Sequence, residues 1–141
     1  MALKTIWDFL GGTKRNVIEE WAKKELSSRD RGALLQRLIQ LRQRDRQAAL
    51  DSNLLAGPLR GRGNLYKLRA KGDCQMRPHL CSGPLSVGGE YTLLCGAKEK
   101  DYKLIPPDAA DRAERHRDGL ILETINEQRV LHFNFRNGSG A

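Results

Sequence analysis

The sequence predicts a single α+β domain: an N-terminal strand, a two-helix hairpin, an antiparallel three- to four-stranded sheet and a C-terminal helix. Three observations predict it. The chain has 141 residues, the size of one ordinary domain. Apolar residues recur at helical intervals between Thr13 and Leu41. Between Leu65 and Cys81 apolar and cationic residues alternate instead, the period of a half-buried strand. With 39% hydrophobic and 30% charged residues of both signs, the chain can fill one core and is not a disordered polyelectrolyte.

The first strand spans Leu3 to Phe9, where Thr5, Ile6 and Trp7 favour extended backbone and Gly11-Gly12 ends the run. A helix of about three turns follows from Thr13, with Val17 and Trp21, then Ile18 and Ala22, four residues apart. Ser27-Ser-Arg-Asp30 has the capping-box pattern, and Leu34, Leu35, Leu38, Ile39 and Leu41 form the buried stripe of a second helix. The other side of that helix carries Arg37, Arg42, Arg44 and Arg46 and reads as a solvated face. Residues 51–63, with Gly57-Pro58 and Gly61-Arg62-Gly63, form a breaker-rich loop.

In Leu65 to Lys71 the set Tyr66, Leu68, Ala70 alternates with Lys67, Arg69, Lys71, so a strand here presents three cations on one face. After the Gly72-Asp73 turn, Gln75 to Cys81 places Met76 and Leu80 on one side and Arg77 and His79 on the other, and two strands share a basic face. Pro78 conflicts locally, because proline cannot donate to a ladder. Residues 82–90 read as a turn, and Tyr91 to Ala97 as a central strand covered on both faces. Pro106-Pro107-Asp108 opens the last helix, lined by Ala109, Ala113, His116 and Leu120. The domain is expected to span 1–121. Residues 122–141 form an extension with an alternating Leu131, Phe133, Phe135 strand and a flexible end from Asn137. That strand either adds to the sheet edge or docks on a second copy, which would make a homo-oligomer.

Charge narrows the function. The formal net charge is +8. Residues 1–56 contribute +4, residues 57–105 contribute +5 and the remainder −1, so the excess lies in the first two thirds of the chain, and where it clusters it suits a polyanionic partner. No run approaches the roughly 18 apolar residues of a membrane span and the N-terminal segment lacks a secretory pattern, so a cytoplasmic protein is expected. Cys74, Cys81 and Cys95 stand seven and fourteen positions apart. That is neither a CxxC pair nor a disulfide framework, so free thiols and no metal are expected. No P-loop or dinucleotide fingerprint occurs, and no cofactor is expected.

Gly61 to Gly63 leading into Leu65-Tyr-Lys-Leu-Arg69, the arginine of Gln75-Met-Arg77, the run Leu93 to Lys100, and Pro107-Asp-Ala-Ala-Asp-Arg-Ala113 stand in an order that resembles the RelE/ParE superfamily of small bacterial toxins. Within it the likeness is to the HigB-like, phage-derived branch, over roughly residues 3 to 121. The resemblance implies a sheet that binds RNA, most often ribosome-bound mRNA, cleaves it without a metal by 2′-OH attack to leave a cyclic phosphate, and is neutralised by a cognate antitoxin. Carried onto this chain, it makes Arg77 the stabiliser of the scissile phosphate, Lys98 and Lys100 the counterpart of the family's Lys-Lys pair, and Lys67, Arg69 and Lys71 the backbone grip. His79 becomes the proton exchanger, Tyr102 a base-stacking residue, and Arg62 a further RNA contact. The sequence departs from the pattern at Ala97, where an aromatic is usual, at Glu99, which splits the lysine pair, and at Pro78, which follows Arg77. The alternative is a non-catalytic, phage-derived nucleic-acid- or protein-binding module on the same scaffold.

Overall fold

A computed structural model describes residues 3–136. The chain is a mixed α+β domain with one large and one small sheet. Strand β1 (Thr5–Phe9) leads to helix α1 (Val17–Glu25), which starts later than Thr13 because the Asn16 side chain accepts the amides of Ile18 and Glu19 and caps it. Helix α2 (Ser28–Arg42) opens on the expected capping box, Ser27 with Asp30. A short helix α3 (Arg46–Asp51), capped by Asp45, then occupies residues that the sequence assigned partly to the second helix.

The large sheet has the order β10-β1-β7-β6-β3-β2, with β2 (Leu55–Ala56), β3 (Tyr66–Leu68), β6 (His79–Ser82), β7 (Glu90–Cys95) and β10 (Arg129–Leu131). All six residues of β7 are buried, as its apolar run predicts. It pairs parallel with β1 and antiparallel with β6. Helix α1 packs against β7, while α4 (Ala109–Asp118) packs against β6 and β7. Two core clusters result, one built on Ile18, Leu38, Leu68 and Leu93, the other on Leu65, Leu94, Ala109 and Ala113. His116 hydrogen-bonds the Leu94 carbonyl at 2.8 Å and stacks on Phe9. The central residue of this packing is Gly96, where any β-carbon would overlap the Trp21 indole.

The two alternating strands each break once. Residues 65–71 divide at Arg69, whose amide bonds the Leu54 carbonyl, and residues 75–81 divide at Pro78, which has no amide to give. Their outer halves, β4 (Ala70–Lys71) and β5 (Gln75–Met76), leave the large sheet. They join the hairpin β8 (Lys98–Lys100) and β9 (Lys103–Ile105) in a second sheet of order β4-β5-β8-β9. Asp101 and Tyr102, both at positive φ, form the hairpin turn. The sequence reading had one continuous sheet and no such hairpin.

The tail is closer to the body than its patterning suggested. A 3₁₀ turn (Leu122–Thr124) and helix α5 (Ile125–Gln128) bring β10 antiparallel onto β1, the first of the two placements considered. The expected strand through Phe135 is corrected, since Phe133–Phe135 form a 3₁₀ turn that folds both rings onto the core. Buried Asp8 holds this turn: one carboxylate oxygen lies 2.7 Å from His132 Nδ1, and the other accepts the Phe133 amide and the Asn16 side-chain amide. The flexible end expected from Asn137 lies outside the described residues. Among the described residues no helix is long and apolar enough to cross a membrane.

Candidate nucleic-acid interface

Where β4 and β5 leave the large sheet they open a cleft of about 350 Å³ against α2, lined by Arg37, Asn53, Arg69, Lys71, Gln75 and Arg77 besides the Ala70 backbone. Four of those side chains are cationic and none is acidic. Arg37 Nε donates to the Arg69 carbonyl at 2.8 Å and its Nη1 to Gln40 at 3.0 Å, so the guanidinium is fixed over the strand break. Arg77 is more constrained, its side chain only 14% exposed. It donates to the carbonyl of Met76 at 2.8 Å and to the Gln75 side chain at 3.3 Å, and its Nε lies 3.6 Å from Glu99 Oε1. Burial, together with the charge of Arg69 and against the pull of Glu99, lowers the Arg77 pKa, yet a guanidinium remains charged at any physiological pH. Arg69 and Lys71 are exposed.

The turn joining β4 to β5 is pinned from below. Asp30, buried at the start of α2, accepts the amides of Asp73 at 2.6 Å and Cys74 at 3.1 Å. Burial works against its ionisation, but these hydrogen bonds and that of Cys74 Sγ outweigh it and hold the carboxyl below its ordinary value. Gly72 is required there, because a β-carbon would meet the Asp30 carboxylate at 2.6 Å. The same carboxylate therefore caps a helix and sets the position of Lys71 and Gln75.

The other sequence candidates go elsewhere. His79 is corrected most: it is fully buried on β6, its Nδ1 lies 2.8 Å from the Arg77 carbonyl, and among the described residues its Nε2 has no hydrogen-bond partner. Pro78 separates it from the cleft although register keeps it opposite Lys67. Burial, against the pull of the Arg77 carbonyl and aided by Lys67 and Arg62, drives its pKa down to about 4, so it is a neutral imidazole and not a proton exchanger near pH 7. An NMR titration of the imidazoles should find His79 titrating near 4. Because the unfolded chain takes up this proton first, near 6.5, His79 should make stability fall as pH drops through that window; titration near 6.5 would refute its burial.

Lys98 lies on the wrong face. Along β5 and β8, Gln75 stands opposite Glu99 and Met76 opposite Lys98, so the cleft face carries Glu99 and the reverse face carries Lys98. Lys98 pairs with Glu25 at 3.8 Å beside a separate groove of about 390 Å³ between α1 and β9. Arg62 is engaged by α4, donating to Asp111 at 2.6 Å and Glu114 at 3.0 Å. Lys67 is half-buried on β3 and outside the cleft lining. Lys100 is exposed near the hairpin turn, where Tyr102 is 98% exposed. Cys74, Cys81 and Cys95 are unpaired, and burial pushes the latter two thiols up to about 12.

Three of the nine candidates, Arg69, Lys71 and Arg77, thus converge, and α2 adds Arg37, which the sequence had counted as solvated surface. No local signal marks Arg37, since only the tertiary path of β4 past α2 distinguishes it from its neighbours. No family model matches the chain, and neither a curated protein nor a solved structure matches it.

Proposed function

We propose that the protein is a toxin-type, metal-independent endoribonuclease of the RelE/ParE kind, acting on mRNA at the ribosome in the cytoplasm and restrained by a small antitoxin. The observation that carries this reading is the cleft lined by four cationic side chains, of which Arg37 and Arg77 are held by hydrogen bonds, with Glu99 at its margin. Such a site suits a phosphodiester backbone, because guanidinium forks match phosphate oxygens and their positions are set before the ligand arrives.

In this reading Arg77 and Arg37 face the scissile phosphate and stabilise the charge that grows on its oxygens as the 2′-OH attacks. Lys71 is the one lining residue able to exchange a proton, and it protonates the departing 5′-oxygen. Induced expression should arrest growth, and the purified chain added to translating ribosomes should yield mRNA fragments ending in a 2′,3′-cyclic phosphate. Intact folding with neither arrest nor fragments overturns the reading.

The second reading, a non-catalytic RNA-binding module, is favoured by one particular: His79 and Lys98, two of the residues expected to do chemistry, are respectively inside the core and on the reverse face. RNA binding that weakens steeply with salt and gives no product decides for it.

A further inference from the structure

We infer that Glu99 is the general base of the proposed cleavage, which rests on the endoribonuclease reading. The cross-strand register runs Lys71, Gln75, Glu99 across β4, β5 and β8, and residues directly opposite one another project from the same face. Lys71 and Gln75 line the cleft, so Glu99 stands next in the row at its margin. Its carboxylate is 3.6 Å from Arg77 Nε, with the side chain 20% exposed. Arg77 is braced by the Met76 carbonyl and by Gln75, which leaves Glu99 the group across which a substrate held on Arg77 would meet a proton acceptor. The interruption of the lysine pair thereby becomes a placed acid–base group.

The step balances without any further reactant. A carboxylate oxygen of Glu99 accepts the ribose 2′-OH proton, and the 2′-oxygen electron pair forms a bond to the adjacent phosphorus. The bond from phosphorus to the 5′-oxygen breaks, and that oxygen takes a proton from the Lys71 ammonium. A 2′,3′-cyclic phosphate and a 5′-hydroxyl result, and water returns the proton from Glu99 to Lys71. Arg77 bridges the two roles, attracting the phosphate and orienting the carboxylate.

A plain counter-ion role for Glu99 makes different predictions, and Glu99→Gln separates them in the full-length chain with translated mRNA as substrate. As general base, its loss should lower kcat by about 10² to 10⁴ with little change in KM or in RNA affinity. It should also remove the acidic limb of the pH–rate profile, and Glu99→Asp should restore part of the rate. The inference is overturned if Glu99→Gln keeps the wild-type rate, or loses rate only in step with RNA affinity or melting temperature while the acidic limb persists. It is likewise overturned if the unaltered chain binds RNA but makes no product. That last outcome removes the endoribonuclease reading, whereas a cleaving wild type with an indifferent Glu99→Gln removes only the assignment of the base.

Discussion

Replacing Arg69 and Lys71 together by glutamine should weaken RNA binding on the order of 100-fold at moderate salt, because two charge-assisted contacts to phosphate are lost. The signature is the salt dependence more than the affinity. Each contact to a single strand contributes about 0.7 to the slope of log K against log salt, so the double variant should lose about 1.4 from that slope. Both side chains are exposed, so the change should leave the melting temperature nearly untouched. A matched double change on exposed Lys23 and Arg31, away from the cleft, should leave the slope unaltered. Equal slopes for all three proteins would mean that the +8 charge binds RNA as a diffuse field, and that the cleft has no special part. Arg77 is the poorer probe despite its central place. It ties the Met76 carbonyl and Gln75 together with Glu99, so Arg77→Ala removes a brace along with a charge.

What the sequence disclosed follows from the range of the interaction involved. The start of α2 at Ser28 depends on the Ser27–Asp30 box within three residues, and the buried parity of Tyr66, Leu68, Ala70 and Met76 is a local period. These were legible. Parity alone, however, cannot say where a strand changes sheets. The break at Arg69 arises because its amide finds Leu54, fifteen residues back. The proline that breaks the second strand was visible, but not its consequence, that Arg77 and His79 would part company with one in a cleft and the other in the core. Lys98 was misplaced for a related reason: its face depends on pairing with Met76 in a second sheet, which nothing within β8 announces. Glu99 was seen only as an interruption, since its proximity to Arg77 is a property of the pairing between β5 and β8.

The largest stability effect should come from the tail. Glu90, at the start of the central strand, accepts both terminal nitrogens of Arg129 at 2.8 and 3.0 Å. It also accepts the Trp7 indole at 3.1 Å and the amides of Leu85 and Ser86. Arg129 is 2% exposed and lies 4.4 Å over the Trp7 ring, and among the described residues its hydrogen-bond partners besides Glu90 come down to the Thr92 hydroxyl, its Nε having none. Glu90→Ala strands a buried cation and should cost about 3–5 kcal/mol, read as a shift of the urea midpoint. Arg129→Met should cost less, because the remaining carboxylate keeps Trp7 and two amides, and a methionine fills the space. That order, Glu90 above Arg129, is the test, and a reversed order would place the anchoring in the packing of β10 and not in the ion pair. Acid provides an independent check. Burial pushes the Glu90 carboxyl up, but hydrogen bonds from Arg129 and the Ser86 and Leu85 amides prevail, so its folded pKa lies below the ordinary 4.5. A depressed pKa stabilises the fold above the unfolded value and ceases to do so as pH falls through the folded value. Protection of the Arg129–Leu131 amides from hydrogen exchange should therefore decline on acidification in the wild type, and in Glu90→Ala it should already be low at neutral pH.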